Sequence, residues 1–221
     1  MIRLLLGDDH RIVREGLKQV FADAPDVCIA GEAQNGIDVL DQVRKLGGDD
    51  GLDLVLLDIA MPGADGLEVL QILRREFPAL PVLMLSTYPE QQYAVRCIKL
   101  GAGGYLHKSA DPDDMVTAVR KVAGGGMYVT QATAEALAAA MGSVASRSGA
   151  GSVEALSHRE YQVYRLLTAG HTVSEIGAQL KLASNTVSTY RARILEKTGA
   201  KNDVELALFA ERQTRPTPTA P

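Results

Sequence analysis

Five short apolar runs recur through the first 125 residues: Ile2–Leu6, Cys28–Ala33, Leu54–Leu57, Val82–Leu85 and Gly104–Leu106. None shows sustained polar alternation. Runs apolar on both faces suit the strands of a parallel sheet covered by helices on either side. Helical patterns lie between them. Val13, Gly16, Leu17, Val20 and Phe21 share one helix face, as do Met115, Val119 and Val122. Asp111-Pro112-Asp113-Asp114 is a helix start, with Asp as N-cap, Pro in the first position and acids in the first turn. Five such βα units predict a doubly wound α/β domain.

The pattern then changes. Gly142–Ser152 is small and polar and reads as a flexible linker. Val153–Gln213 offers no strand but four helical segments, two of them opened by capping boxes at Ser157-His158-Arg159-Glu160 and Thr172-Val173-Ser174-Glu175. The tail Arg215–Pro221 reads as disordered. The expected division is an α/β domain over 1–125, a connecting helix and linker over 126–152, a small all-α domain over 153–213, and a tail over 214–221. Cys28 and Cys97 form neither a disulfide framework nor a metal-ligand spacing, and read as two small buried hydrophobes in a reducing cytosol. The opening MIRLLLGDDH is too short in its apolar run for a signal-peptide core or a membrane span, so a cytoplasmic protein without membrane contact is expected.

The formal net charge of -4 argues against a nucleic-acid partner, and aromatics at 5% with no Trp argue against a base-stacking platform. The charge is unevenly shared, however. Residues 1–152 hold 14 Lys and Arg against 20 Asp and Glu, whereas residues 153–221 hold 9 against 7. Within Tyr190–Lys201, Arg191, Arg193, Lys197 and Lys201 oppose only Glu196. The positive charge sits on one helical segment.

In a parallel α/β sheet, functional groups collect beyond the carboxyl ends of the strands, where the strand order reverses. The first run ends in Asp8-Asp9 and the third in Asp58. A flavodoxin-like order 2-1-3-4-5 makes those strands neighbours. Three crowded carboxylates repel one another and call for a cation, and oxygen-only ligands suit Mg²⁺. Lys108 after the fifth strand and Ser86 after the fourth supply a point charge and a hydroxyl donor. A carboxylate nucleophile, a metal, a lysine and a hydroxyl together describe phosphoryl transfer onto an aspartate.

Asp8-Asp9, the segment Asp58–Gly66 (DIAMPGADG), Leu85-Ser86-Thr87 and Gly104-Tyr105-Leu106-His107-Lys108 resemble a response-regulator receiver domain over about residues 2–125. The resemblance implies that Asp58 accepts phosphate from a sensor histidine kinase. It implies Mg²⁺ ligation by Asp9, Asp58 and the Ala60 carbonyl, with Asp8 acting mainly through a bound water. Lys108 would pair with the acyl phosphate, and Ser86 would move toward it, letting the Tyr105 ring swing inward. Ala60 and Tyr88 would flank the approach of hydrolytic water. Many receivers carry Pro directly after this lysine. Here Ser109 stands there.

Thr172–Leu180 and Ser184–Thr198 are two helical patterns separated by Lys181-Leu182-Ala183. Val173, Ile176, Leu180, Val187, Ile194 and Leu195 can pack together, leaving Ser188, Thr189, Arg191, Ala192 and Arg193 outward. Such a helix fits the major groove of DNA. Leu156-Ser157-x-Arg159-Glu160, Ala169-Gly170-x-Thr172-x-x-Glu175-Ile176, Thr186–Tyr190 and Lys197–Asn202 resemble a LuxR-type helix-turn-helix over about residues 154–212. The whole chain thus resembles a NarL/FixJ-type transcriptional regulator. By that likeness Ser184–Lys197 is the recognition helix and Val204–Glu211 a dimerisation helix. Ser184, Asn185, Ser188, Thr189, Arg191, Arg193, Lys197 and Lys201 would contact double-stranded promoter DNA. The active form would be a homodimer, with RNA polymerase held open as a further partner. Ala183 stands where the recognition helix usually opens on Ser, so the cap either passes to Ser184 or is forgone.

Two rival classes share part of this pattern. A phosphatase working through an aspartyl phosphate would want a second acid two residues beyond Asp58, where Ala60 stands. A phosphorylation-independent receiver on the same DNA-binding module sits poorly with the complete set Asp8, Asp9, Asp58, Ser86 and Lys108.

Overall fold

A computed structural model describes residues 1–88, 90–144, 153 and 156–214. The chain divides into two compact units, Met1–Leu137 and Ala138–Pro221.

The first unit alternates β1 (Ile2–Gly7), α1 (Arg11–Ala22), β2 (Val27–Ala33), α2 (Gly36–Lys45), β3 (Leu54–Asp58), α3 (Gly66–Glu76), β4 (Val82–Ser86), α4 (Glu90–Lys99), β5 (Gly104–His107) and α5 (Pro112–Ala123). The sheet order is β2-β1-β3-β4-β5 with every neighbour parallel, as the sequence implies. One sheet face packs Leu4, Leu6, Leu54, Leu56, Leu83, Leu85 and Leu106 against Leu17 and Phe21 of α1 and Met115, Val119 and Val122 of α5. Leu5, Val55, Leu57 and Met84, which alternate with these residues, are fully buried on the opposite face. β3, β4 and β5 each run one residue past their apolar runs, so Asp58, Ser86 and His107 are their last residues. The register aligns them along one edge, pairing Asp58 with Leu85 and Ser86 with His107.

Three expectations change here. Cys97 is buried but Cys28 is exposed, because β2 is an edge strand with an open outer face. On α1, Gly16 faces solvent and Arg14 is buried in its stead. Asp111 is the N-cap of α5 with Pro112 first in the helix, but its side chain makes no capping hydrogen bond.

After α5, Tyr128 bridges to Gly104 at the β5 edge, and α6 (Gln131–Val144) follows. The hydroxyls of Thr130 and Thr133 both donate to the carboxylate of Glu90, the first residue of α4. The helix runs through Val144, so the first three residues of the expected linker are helical. Residues 145–152 and the tail 215–221 lie outside the described residues.

The second unit contains α7 (His158–Thr168), α8 (Val173–Leu180), α9 (Ser184–Thr198) and α10 (Asp203–Thr214). Leu156, Val163, Tyr164, Leu167, Ile176, Val187, Ile194 and Leu206 form its core. Both anticipated capping boxes are present, Ser157 with Glu160 and Thr172 with Glu175. The turn between α8 and α9 is tight. Lys181 ends α8 at φ 55°, and the Leu182 N–H donates to the Gly177 carbonyl at 2.8 Å. A Cβ on Gly177 would stand 2.8 Å from the Leu182 oxygen, so the turn requires glycine there. The α9 cap is forgone: Ala183 is the N-cap and makes no side-chain capping hydrogen bond. Among the described residues, no helix is long and apolar enough to cross a membrane.

Candidate functional site

The acids sit where β1 and β3 end side by side. Asp8 follows Gly7 and is 1% exposed, and Asp58 is 2% exposed. Between their carboxylates lies the Lys108 ammonium, 2.6 Å from Asp8 Oδ2 and 2.8 Å from Asp58 Oδ2. Burial of two carboxylates is tolerable because a cation spans both. Burial pushes the Asp58 carboxyl above its ordinary value, and Lys108 opposes that rise. Burial alone would lower Lys108, but its bonds to Asp58 and Asp8 outweigh this and hold the ammonium above the usual lysine range. The Ala60 N–H donates to Asp58 Oδ1 at 3.2 Å. Asp9 lies nearer the surface, its carboxylate 2.7 Å from His10 Nδ1, while the His10 N–H donates to Asp8 Oδ1.

Backbone contacts fix this edge. Gly66 opens α3 directly against β3, where an added Cβ would stand 2.0 Å from the Asp58 carbonyl oxygen. Asp65 caps the same helix through the Leu67 and Glu68 N–H groups, with Glu68 reciprocating. The Asp-x-x-Glu spacing signals that box in the sequence. Arg14 donates to the Asp8 carbonyl at 2.7 Å and to Glu32 at 3.0 Å, anchoring the β1 end from behind. Its signal is the helical spacing 14, 17, 21, which places it on the buried stripe with Leu17 and Phe21.

Ser86, fully buried, accepts the Tyr88 N–H on its hydroxyl at 3.2 Å. The Lys108 N–H donates to the Ser86 carbonyl at 2.8 Å. Tyr105 is 3% exposed and donates its hydroxyl to the Tyr88 carbonyl at 2.6 Å. Burial pushes that phenol up, so it remains a donor. Tyr105 is thus inward, its hydroxyl held by the Tyr88 carbonyl and in hydrogen-bonding contact with the Ser86 side chain. The Tyr88 ring packs against Tyr93 in a tilted arrangement, ring centroids 5.0 Å apart and planes 32° from parallel.

The oxygens of Asp8, Asp9 and Asp58 and the His10 nitrogen lie within 4.8 Å of one another. The carboxylate set fits a hard divalent cation such as Mg²⁺. His10 is an addition that the sequence did not single out.

On the second unit, Ser184, Asn185, Ser188, Thr189 and Arg193 all lie on the exposed surface of α9. Thr189 also donates to the Asn185 carbonyl. Two other basic residues have partners within the unit. Arg191 donates through Nε to both carboxylate oxygens of Asp203, at 2.8 and 3.1 Å. Lys197 pairs at 2.6 Å with Glu160, which is 3% exposed. Lys201 follows α9 and is exposed.

Residues 4–120 match the response regulator receiver domain, and residues 154–210 match the bacterial regulatory proteins of the luxR family. The chain belongs to the NarL/FixJ response regulators. This family assignment makes it a DNA-binding regulator of transcription and not an enzyme. It is 37% identical to the response regulator GacA of Pseudomonas aeruginosa over 212 residues, covering 96% of each chain. It is 34% identical to the response regulator UvrY of Escherichia coli K12, covering 96% of this chain and 94% of that one. The solved response regulator ChrA of a heme-sensing two-component system is similar at 30% identity and a TM-score of 0.51, covering 96% of this chain and 97% of that one. The RcsB response regulator of Salmonella typhimurium shares the fold at 24% identity and a TM-score of 0.57, covering 96% and 99%.

Proposed function

We propose that Asp58 accepts a phosphoryl group from a sensor histidine kinase in the presence of Mg²⁺, and that this modification switches dimerisation and promoter binding. The observation that carries the reading is the Lys108 ammonium spanning two buried carboxylates at the carboxyl edge of the sheet. One Asp58 oxygen attacks phosphorus, the N–P bond of a phosphohistidine breaks, and its electron pair returns to the departing imidazole. Lys108, held cationic by the two acids, then pairs with the phosphoryl oxygens. The Ala60 N–H, which points at Asp58 Oδ1, helps orient the attacking carboxylate. Asp9, Asp58 and the Ala60 carbonyl would hold Mg²⁺, with Asp8 acting through water. Bound there, the ion offsets the negative charge that the incoming phosphoryl group adds.

The exposed α9 residues Ser184, Asn185, Ser188, Thr189 and Arg193, with Lys201, support a role in reading promoter DNA. Arg191 and Lys197 reach phosphates only by sharing or leaving their acidic partners. Val204, 70% exposed, and Leu208, 46% exposed, stand one turn apart on α10 and support its use as a dimerisation helix. A unit carrying only a modest positive charge gains from binding as a pair, on half-sites about 10 bp apart. We place the functional boundaries at 1–125, 126–152, 153–213 and 214–221, within a cytoplasmic protein.

DNA binding with and without acetyl phosphate tests the reading. The wild type gains affinity with the phosphodonor, whereas Asp58→Ala does not. Equal gain in both proteins would refute Asp58 as the acceptor.

A further inference from the structure

His107 ends β5 and lies beside Ser86 across the parallel ladder. Its Nε2 is 3.0 Å from the Thr87 carbonyl, which can only accept, so Nε2 carries a proton. Its Nδ1 is 3.2 Å from the Ser109 backbone N–H, which can only donate, and 2.6 Å from the Ser109 hydroxyl. Nδ1 therefore offers its lone pair. One neutral tautomer satisfies the backbone contacts on both ring nitrogens, and Ser109 selects it. Proline, frequent at the position after Lys108 in receivers, has neither the N–H nor the hydroxyl.

The Thr87 carbonyl lies in the loop that carries the switch. That loop is tied at successive residues: Lys108 N–H to the Ser86 carbonyl, His107 to the Thr87 carbonyl, and the Tyr105 hydroxyl to the Tyr88 carbonyl. The Tyr88 N–H in turn holds the Ser86 hydroxyl. The Tyr88 carbonyl, at 2.6 Å, is one of the groups that satisfy the Tyr105 hydroxyl where the ring is buried.

We propose that His107, its tautomer fixed by Ser109, is a positioning residue that holds the Ser86–Tyr88 loop in the arrangement that buries Tyr105. The proposal deepens the reading of Ser86 and Tyr105 as the switch and rests on it. By this account the receiver is biased toward the inward Tyr105 state before any phosphoryl group arrives. Ser109 is then the source of the bias, and not merely a missing proline.

The test uses the full chain with ring-¹³C tyrosine, no phosphodonor, and NMR exchange measurements on the Tyr105 ring. Tyr105→Phe assigns the signal among the seven tyrosines. His107→Leu removes the Thr87 bond, and Ser109→Pro removes both Ser109 donors while leaving His107 in place. Each variant should raise the ratio of displaced to buried ring roughly two- to tenfold, the range for one hydrogen bond. His107→Gln, whose amide can still donate to the Thr87 carbonyl, should restore much of the wild-type ratio. Wild-type ratios in both His107→Leu and Ser109→Pro overturn the proposal, as does His107→Gln matching His107→Leu. Should His107→Leu not fold, the Ser109→Pro ratio decides alone. Because no phosphodonor is present, the result is independent of whether Asp58 is the acceptor, which the acetyl phosphate assay decides separately.

Discussion

Lys197→Met separates a residue that supports the luxR-type unit from one that only touches DNA. The Lys197 ammonium is 2.6 Å from Glu160 Oε2, and that same oxygen accepts the Ser157 N–H of the α7 capping box at 2.7 Å. Glu160 is 3% exposed, whereas the lysine side chain is 38% exposed. Removing the ammonium leaves a buried carboxylate with its backbone donor but without the ion-pair partner it has among the described residues. Stripping one partner from a fully buried pair costs about 3–5 kcal/mol, and an exposed pair contributes about 0–1. Water can reach the vacated lysine position, so the expected loss is about 2 kcal/mol. Hydrogen exchange in the full chain provides the assay, with amides of β1 and β3 as an internal standard. The most protected amides of α7 and α9 should exchange roughly thirtyfold faster, while the sheet amides stay unchanged. Glu160→Gln keeps a capping acceptor and removes the buried charge, so adding Lys197→Met to it should cost little further. Exchange unchanged in Lys197→Met, or equal losses with and without Glu160→Gln, would refute the ion pair as a support of the fold. Arg193→Ala should do the opposite. It leaves exchange alone, weakens DNA binding and reduces the salt slope by about one unit.

Glu32 gives a pH dependence. Its hydrogen bond from Lys18, and after that its bond from Arg14, hold the carboxyl below its ordinary value of 4.5 against the opposing effect of burial. A depressed folded value means the stabilisation is present above pH 4.5 and is lost as the pH falls through the folded value. Glu32→Gln should therefore flatten the acid limb of the receiver's stability profile, and an unaltered limb would count against the network. Burial pushes the Cys97 thiol up to about 12, whereas Cys28 is exposed. A disulfide reagent at about pH 8 should modify one thiol in the native protein and the second only on unfolding; two fast thiols would contradict that burial. On the proposed reading, in which the Tyr88 ring held against Tyr93 would screen the approach of water, Tyr88→Ala should speed loss of phosphate from Asp58. Decay of the phosphoprotein measures this, and an unchanged or slower rate removes Tyr88 from that role.

Much of the receiver is legible because its information is local. Apolar runs mark strands, and in a parallel sheet all carboxyl ends share one edge, so Asp8, Asp58, Ser86 and Lys108 converge once the strand order is known. Capping boxes are equally local, and both proved to be where the spacing placed them. Edges and partners are not local. Cys28 is apolar in its run, yet it lies on the outer strand of the sheet. The role of Arg14 depends on Glu32 and the Asp8 carbonyl, two groups brought to it by strand pairing.

The sequence by itself determined the two kinds of fold, the acidic edge, the basic helix and the division of charge between them. These follow from periodicity and composition, which act over a few residues. Only the tertiary structure decided how individual charges are used. Arg191 and Lys197 count as free cations in any sequence tally, but Asp203 and Glu160 neutralise them across the helix packing. His107 reads as an ordinary strand-end residue until Thr87, twenty positions away, is laid beside it. A side chain's partner is set by which surfaces pack together, and that is a property of the assembled core.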